Sequence, residues 1–131
     1  MTRATRLRTP EPSTLLLVHG DILVRTALAA YLRECGYEVV ETDGPAEARR
    51  VLEAGAKADV VFIDLDTQGE NGGFSLAQWI RSRRPDLKVL LSSGVRRAAE
   101  TAGDLCEHGP HLVKPYEHRD LEAQIRRLLA R

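Results

Sequence analysis

The stretch Val60-Val61-Phe62-Ile63-Asp64 decides the fold. The strand it belongs to begins at Ala58 and is strongly apolar, broken only by Asp59, which suits a strand covered on both faces, as in parallel sheets. The run ends on a carboxylate. Working outward, further strands read at residues 14–18, 37–41 (Tyr-Glu-Val-Val-Glu, mixed in polarity), 87–91 and, more briefly, 111–113. Helical periodicity fills the intervals. Asp21 caps the first helix, whose apolar face is Val24, Leu28, Tyr31, Leu32 and Cys35, and Gly36 closes it. Asp43 and Pro45 open the second, which Ala46, Arg49, Val51 and Leu52 carry toward Gly55. A glycine-rich loop over 67–73 leads into a third helix with Leu76, Ala77 and Ile80, stopped near Pro85. Residues 95–107 are alanine-rich and helical in pattern, interrupted at Gly103, and residues 117–130 form a last helix with Leu121, Ile125, Leu128 and Leu129 on its apolar face.

Strands alternating with amphipathic helices give an α/β domain in three layers, a parallel sheet between two sets of helices joined by right-handed crossovers. In such a sheet the functional crevice lies at the carboxyl ends of the strands. Polar residues gather there: His19 and Asp21 after the first strand, Asp64 and Asp66 after the third, Ser92 and Ser93 after the fourth, Lys114 after the fifth.

Composition narrows the classes further. The chain has 131 residues, 43% hydrophobic and 29% charged, which fits one globular domain over 14–131. Residues 1–13 are polar, contain Pro10 and Pro12, and read as a flexible arm; Arg3, Arg6 and Arg8, set against Glu11, belong to a solvated tail. Basic and acidic residues balance at 19 each, which argues against direct nucleic-acid binding. No apolar run approaches the roughly 18 residues of a membrane span, and the N-terminus lacks the apolar segment of a secretory signal, so a cytoplasmic protein is expected. Cys35 and Cys106 form no paired framework and read as buried thiols.

The strand-end residues suggest a chemistry. A carboxylate such as Asp64 can attack phosphorus and become an acyl phosphate. The transferred group carries negative charge, which Lys114 can neutralise and to which Ser93 can donate. Mg²⁺, a hard ion that takes oxygen ligands, would look to Asp21, Asp64 and Asp66.

Here the chain resembles a known family. Val60-Val61-Phe62-Ile63-Asp64, the run Val89-Leu90-Leu91-Ser92-Ser93-Gly94 and the signature Leu112-Val113-Lys114-Pro115-Tyr116 are similar to the third, fourth and fifth strands of the CheY-like response-regulator receiver domain. The resemblance covers residues 14 to 130. It implies a flavodoxin-like (βα)5 doubly wound sheet of strand order 2-1-3-4-5. It also implies Asp64 as phospho-acceptor, Lys114 and Ser93 as its catalytic partners, Ser93 and His111 as switch residues, and a cis peptide before Pro115. Partners implied are a histidine kinase or histidine phosphotransfer protein and a downstream protein, with a homodimer as an option. The domain is then a signalling module and not an enzyme, beyond self-phosphorylation and self-dephosphorylation at Asp64.

Two departures stand out. The family's first strand ends in two adjacent acids that bind the metal, where this chain has His19 and Gly20. Gly20 supplies no ligand, and an imidazole at 19 suits softer metals than Mg²⁺. Asp21 keeps one acid nearby, so weakened Mg²⁺ binding is expected. The second departure is Thr67-Gln68-Gly69, where the family has Met-Pro-Gly.

Simpler roles stand beside these. A strand-end aspartate is often a turn or cap residue. Ser93 can cap a helix, Lys114 can be a surface lysine, and His19 can be a hydrogen-bonded strand-end histidine. His108 and His118 read as surface residues, Trp79 as packing, and Arg96 and Arg97 as solvated. Two rival functions remain. One is a phosphorylation-independent pseudo-receiver acting as a protein-interaction module. The other is a haloacid-dehalogenase-like phosphatase, suggested by Asp64-Leu65-Asp66-Thr67; its nucleophile strand should come first in the core, and here it is third.

Overall fold

The computed structural model describes residues 12–67 and 72–131, the side chains of 106–108 excepted. Residues 1–11 of the expected arm, together with Gln68 and Gly69, lie outside the described residues, as do the side chains of Cys106 and His108. The elements run β1 (Thr14–Val18), α1 (Ile22–Glu34), β2 (Glu38–Thr42), α2 (Pro45–Glu53), β3 (Val60–Asp64), α3 (Gly72–Arg83), β4 (Lys88–Ser93), α4 (Val95–Glu100), α5 (Ala102–His108), β5 (His111–Val113) and α6 (His118–Leu129). The five strands form one parallel sheet of order β2-β1-β3-β4-β5, the doubly wound arrangement expected.

The apolar runs are continuous because both sheet faces are covered. Leu15, Leu17, Val60, Phe62 and Leu90 face the layer of α1 and α6, where they meet Leu28, Leu32, Leu121 and Ile125. Their strand neighbours Leu16, Val18, Val61, Ile63 and Leu91 face the opposite layer and meet Leu52, Leu76, Ile80 and Leu105. Successive strand residues point to opposite faces, so β1, β3 and β4 each serve both cores. Side chains as fully buried as Leu17 and Phe62 contribute roughly 1.5–3 kcal/mol each by leaving water.

The ends of the elements differ from expectation in four places. β2 starts at Glu38, because Tyr37 still donates its N–H to Leu32 O (3.2 Å) while its hydroxyl donates to Glu122 of α6 (2.7 Å). β3 starts at Val60, because the Asp59 carboxylate accepts from Thr14 N (2.8 Å) at the strand's entrance. β4 runs on through both serines, since Ser92 pairs with Asp64 and Ser93 with Val113. The helical stretch after it breaks at Thr101 and not at Gly103. Thr101 sits at φ −122 and ψ 24, with its backbone N–H and its hydroxyl both donating to Arg97 O, and Gly103 lies inside α5.

Caps follow the sequence where the chemistry is simple. The Asp21 carboxylate accepts from Leu23 N and Val24 N at the head of α1, and Gly36 takes the positive φ that ends that helix (101°). Cys35 is exposed at the C-cap of α1, which corrects the expectation of a buried thiol: the helix is buried in the core only at Leu28, Ala29 and Leu32, while Val24 before them is exposed as well.

Candidate functional site

Register brings the carboxyl ends of β1, β3, β4 and β5 to one edge. Val18 pairs with Ile63, Asp64 with Ser92, and Ser93 with Val113, so His19, Asp64, Ser93 and Lys114 arrive together. At that edge lies a cleft that His19, Asp21, Asp64, Asp66, Thr67 and Lys114 line.

Asp64 is the centre. Its side chain is buried, and every oxygen has a donor. Lys114 Nζ lies 2.6 Å from Oδ1, and Ser92 Oγ donates to the same oxygen at 3.1 Å. Thr67 Oγ1 donates to Oδ2 at 3.1 Å, and His19 Nε2 stands 3.8 Å from that oxygen. Lys114 also donates to Asp66 Oδ2 (3.0 Å). Burial by itself would lower the lysine's pKa, but Asp64 and Asp66 outweigh it and hold the ammonium above its ordinary value. Asp66 accepts further from Gly94 N (2.9 Å) and Arg97 Nε (3.1 Å). Burial opposes its ionisation, yet Lys114, Gly94 and Arg97 hold its pKa below the usual carboxylate value. Arg97, expected as a solvated residue, is therefore part of the rim; Arg96 is exposed beside Glu100.

Ser93 turns away from Asp64. Its Oγ is 2.8 Å from His111 Nε2, in a pair that joins β4 to β5. Burial holds His111 below its ordinary pKa. The Lys114–Pro115 bond is cis, as the resemblance implied. Tyr116 packs edge-on against Phe62, with ring centroids 6.3 Å apart, and burial raises its pKa above the ordinary value. Trp79 is half-buried against the core with Arg49 over its ring, in keeping with a packing role. His118 stacks 5.3 Å from Tyr31 and is only partly exposed.

The β1 edge is built otherwise. His19 is buried, with Nδ1 accepting from Asp21 N at 3.1 Å. Its pKa is lowered, chiefly by burial. A ring whose Nδ1 accepts carries its proton on Nε2, so His19 presents an N–H and no lone pair to Asp64. Gly20 N donates to Thr67 Oγ1 (3.0 Å), and a Cβ at Gly20 would stand 3.0 Å from Thr67 Cγ2.

These residues do not fit Mg²⁺ in this arrangement. Asp21 is engaged as a helix cap, Gly20 offers nothing, Asp66 is tied to two cations and an N–H, and His19 points a proton inward. Among the described residues no group of three or more His, Cys, Asp or Glu is placed to hold a metal ion. Of the candidates, the structure thus brings Asp64, Asp66 and Lys114 into direct contact, sets His19 beside them, and leaves Asp21 at the rim. Ser92 and Thr67, both on Asp64, were not foreseen. Ser92's signal was its register opposite Asp64; Thr67's was only its place three residues beyond the carboxylate.

Comparisons agree with this geometry. The family described as response regulator receiver domain matches residues 15–126. The DNA-binding transcriptional regulator NtrC of Rhizobium meliloti is 35% identical over 120 residues, covering 90% of this chain and 24% of that protein. The transcriptional regulatory protein GltR of Pseudomonas aeruginosa is 31% identical over 121 residues, covering 90% of this chain and 49% of that protein. The chain thus spans a quarter to a half of the curated relatives it matches. Among solved structures, a response regulator receiver protein from Pseudomonas putida superposes with a TM-score of 0.79 at 29% identity, covering 91% of this chain and 99% of that one. The response regulator protein TrrA of Thermotoga maritima, solved in complex with Mg(2+)-BeF, gives 0.75 at 25% identity, covering 88% and 98%. Asp64 ends the third strand in chain order, not the first, which counts against the phosphatase alternative. Receiver domains are signalling modules of two-component systems, and by sequence and topology this chain belongs to the response regulator receiver domain family.

Proposed function

We propose that residues 14–131 work as a phospho-accepting switch, with 1–13 as an arm, and that Asp64 takes its phosphoryl group from a histidine kinase or a histidine phosphotransfer protein. The observation that carries this is a buried carboxylate held 2.6 Å from Lys114 at the open end of β3. In the transfer an Asp64 oxygen forms a bond to phosphorus while the bond from phosphorus to the donor's imidazole nitrogen breaks, its electrons returning to that nitrogen. Lys114 neutralises the added charge. The new anion competes with His111 for the Ser93 hydroxyl, and a shift of Ser93 and His111 carries the change to the face of α4, β5 and α6. Val95 and Val113 are exposed on that face and suit a protein partner or a second copy. Mg²⁺ binds weakly, because Asp21 and Asp66 must first give up their present partners.

The test is intact-protein mass after incubation with acetyl phosphate or phosphoramidate, with and without Mg²⁺, on the wild type and Asp64→Asn. One phosphoryl group on the wild type and none on the variant is expected. No gain under any condition, on folded protein, favours the second reading, a pseudo-receiver that binds partners unmodified. The observation on that side is Thr67, whose side chain stands where a residue-20 carboxylate would project.

A further inference from the structure

We propose that His19 stands in for the metal ion at the β1 edge of the pocket, its Nε2–H meeting a phosphoryl oxygen on Asp64, so that transfer proceeds without Mg²⁺. This rests on Asp64 being the acceptor and names what takes over the missing charge stabilisation.

Three features carry it. First, the tautomer is dictated by structure. Asp21 N donates to Nδ1 at 3.1 Å, which leaves the proton on Nε2. To ligate a metal through Nε2 the proton would have to move to Nδ1, where it would face the Asp21 N–H head on. Second, the distance suits an incoming group better than the resting carboxylate. Nε2 lies 3.8 Å from Asp64 Oδ2, too far for a hydrogen bond, and an oxygen of a phosphoryl group carried on Asp64 would project past Oδ2 to one side of that line, where the Nε2–H can meet it. Third, the ring is held in place. It is buried, and its backbone is fixed at both ends: the His19 main-chain N–H donates to Thr42 O (3.2 Å), and the main-chain carbonyl accepts from Arg25 Nη1 (2.9 Å), an arginine that Glu41 pins at 3.2 Å. A donor fixed before the reaction needs no reorganisation during it. Lys114 on Oδ1 completes the arrangement from the other side, so the phosphoryl group meets a cation at one flank and a fixed N–H at the other. Thr67 keeps the space beside Gly20 filled.

With phosphoramidate as donor the step balances. An Asp64 oxygen bonds to phosphorus, the phosphorus–nitrogen bond breaks, and its electron pair leaves with the already protonated nitrogen as ammonia.

The experiment follows phosphoryl gain by intact mass at neutral pH, in EDTA and in millimolar Mg²⁺, with thermal unfolding as the check of fold. The wild type should gain one group at the same rate in both conditions. His19→Leu should slow it by roughly a hundredfold or more, the scale of losing one preorganised donor, and His19→Gln, which keeps an N–H near Nε2, should retain most of the rate. The double variant His19→Asp, Gly20→Asp should instead require Mg²⁺. Long-range proton–nitrogen NMR correlations should show a protonated Nε2 and a bare Nδ1 in the wild type. A wild-type rate that needs Mg²⁺, a folded His19→Leu as fast as wild type, or the reverse tautomer each overturns the proposal. A wild type that gains nothing overturns it too. In that case a Mg²⁺-dependent gain on the double variant keeps Asp64 as the acceptor position and removes only the role of His19, while no gain there removes both.

Discussion

The two sides of the pocket hold the same carboxylate by different means. On the β3–β4–β5 side the work is done by charge: Lys114 bridges Asp64 and Asp66, and Arg97 anchors Asp66 from α4. On the β1 side it is done by neutral hydrogen bonds: Asp21 N to His19, Gly20 N to Thr67, Thr67 to Asp64. A charged partner tolerates small displacements, whereas a chain of hydrogen bonds depends on each link being present. The family resemblance survives on the first side and is lost on the second, and the fold is indifferent to the exchange because both sides hang on strand ends that the core has already fixed.

The largest effect is expected where charge is removed. Lys114→Met leaves Asp64 buried and Asp66 beside it with no ammonium between them. Breaking a buried pair by deleting one partner costs about 3–5 kcal/mol; with the lysine side chain 32% exposed, screening brings the expected loss to about 1–3 kcal/mol by urea unfolding. Unchanged stability would mean that the two carboxylates do not depend on Lys114.

Thr67→Val sharpens the contrast from the other side. The replacement is close in shape but strips the hydroxyl from the link between Gly20 N and Asp64 Oδ2. The expected loss is about 1–2 kcal/mol, since a buried acceptor and a backbone donor both lose a partner. A neutral result would show that water replaces Thr67, and that the β1 edge is less closed than its contacts imply.

Much of this was legible in the sequence. The apolar runs marked the inner strands β1, β3 and β4 because strands covered on both faces admit no alternation, and the strand ends were marked by Asp64, Ser93 and Lys114. The hidden part was direction. Ser92 and Ser93 are both fully buried at the end of β4, yet opposite faces of the strand send Ser92 to Asp64 and Ser93 to His111. Sequence names the pair and not which hydroxyl faces which partner. Likewise Asp66 was counted as a metal candidate, but its ties to Gly94 and Arg97 depend on where α4 begins, in the stretch whose break at Thr101 no residue preference announced.

That division of the serines can be broken directly. Ser92→Ala should cost about 1 kcal/mol, because the buried Asp64 Oδ1 loses a donor. Ser93→Ala should leave Asp64 untouched and instead shift the His111 ring signals in NMR. Equal perturbation of His111 by both variants would mean that the two hydroxyls act as one network.

The smallest effect is the acid dependence of Asp66. Its carboxyl titrates below the ordinary aspartate value in the folded chain, because Lys114, Gly94 and Arg97 outweigh the opposing effect of burial. A depressed folded pKa means that the stabilisation is complete above the unfolded value, near about 4, and disappears as pH falls through the folded one. Asp66→Asn should therefore be less stable than the wild type at neutral pH, and the gap should close as the solution is taken below the usual aspartate range. The Gly94 amide resonance should move over the same interval, since its acceptor is the group that titrates. The side chain is about a third exposed, so added salt should narrow the gap at neutral pH as well. A gap that stays constant into acid would place the titrating charge elsewhere in the cluster and would detach Asp66, and with it Arg97 and α4, from the charged side of the pocket.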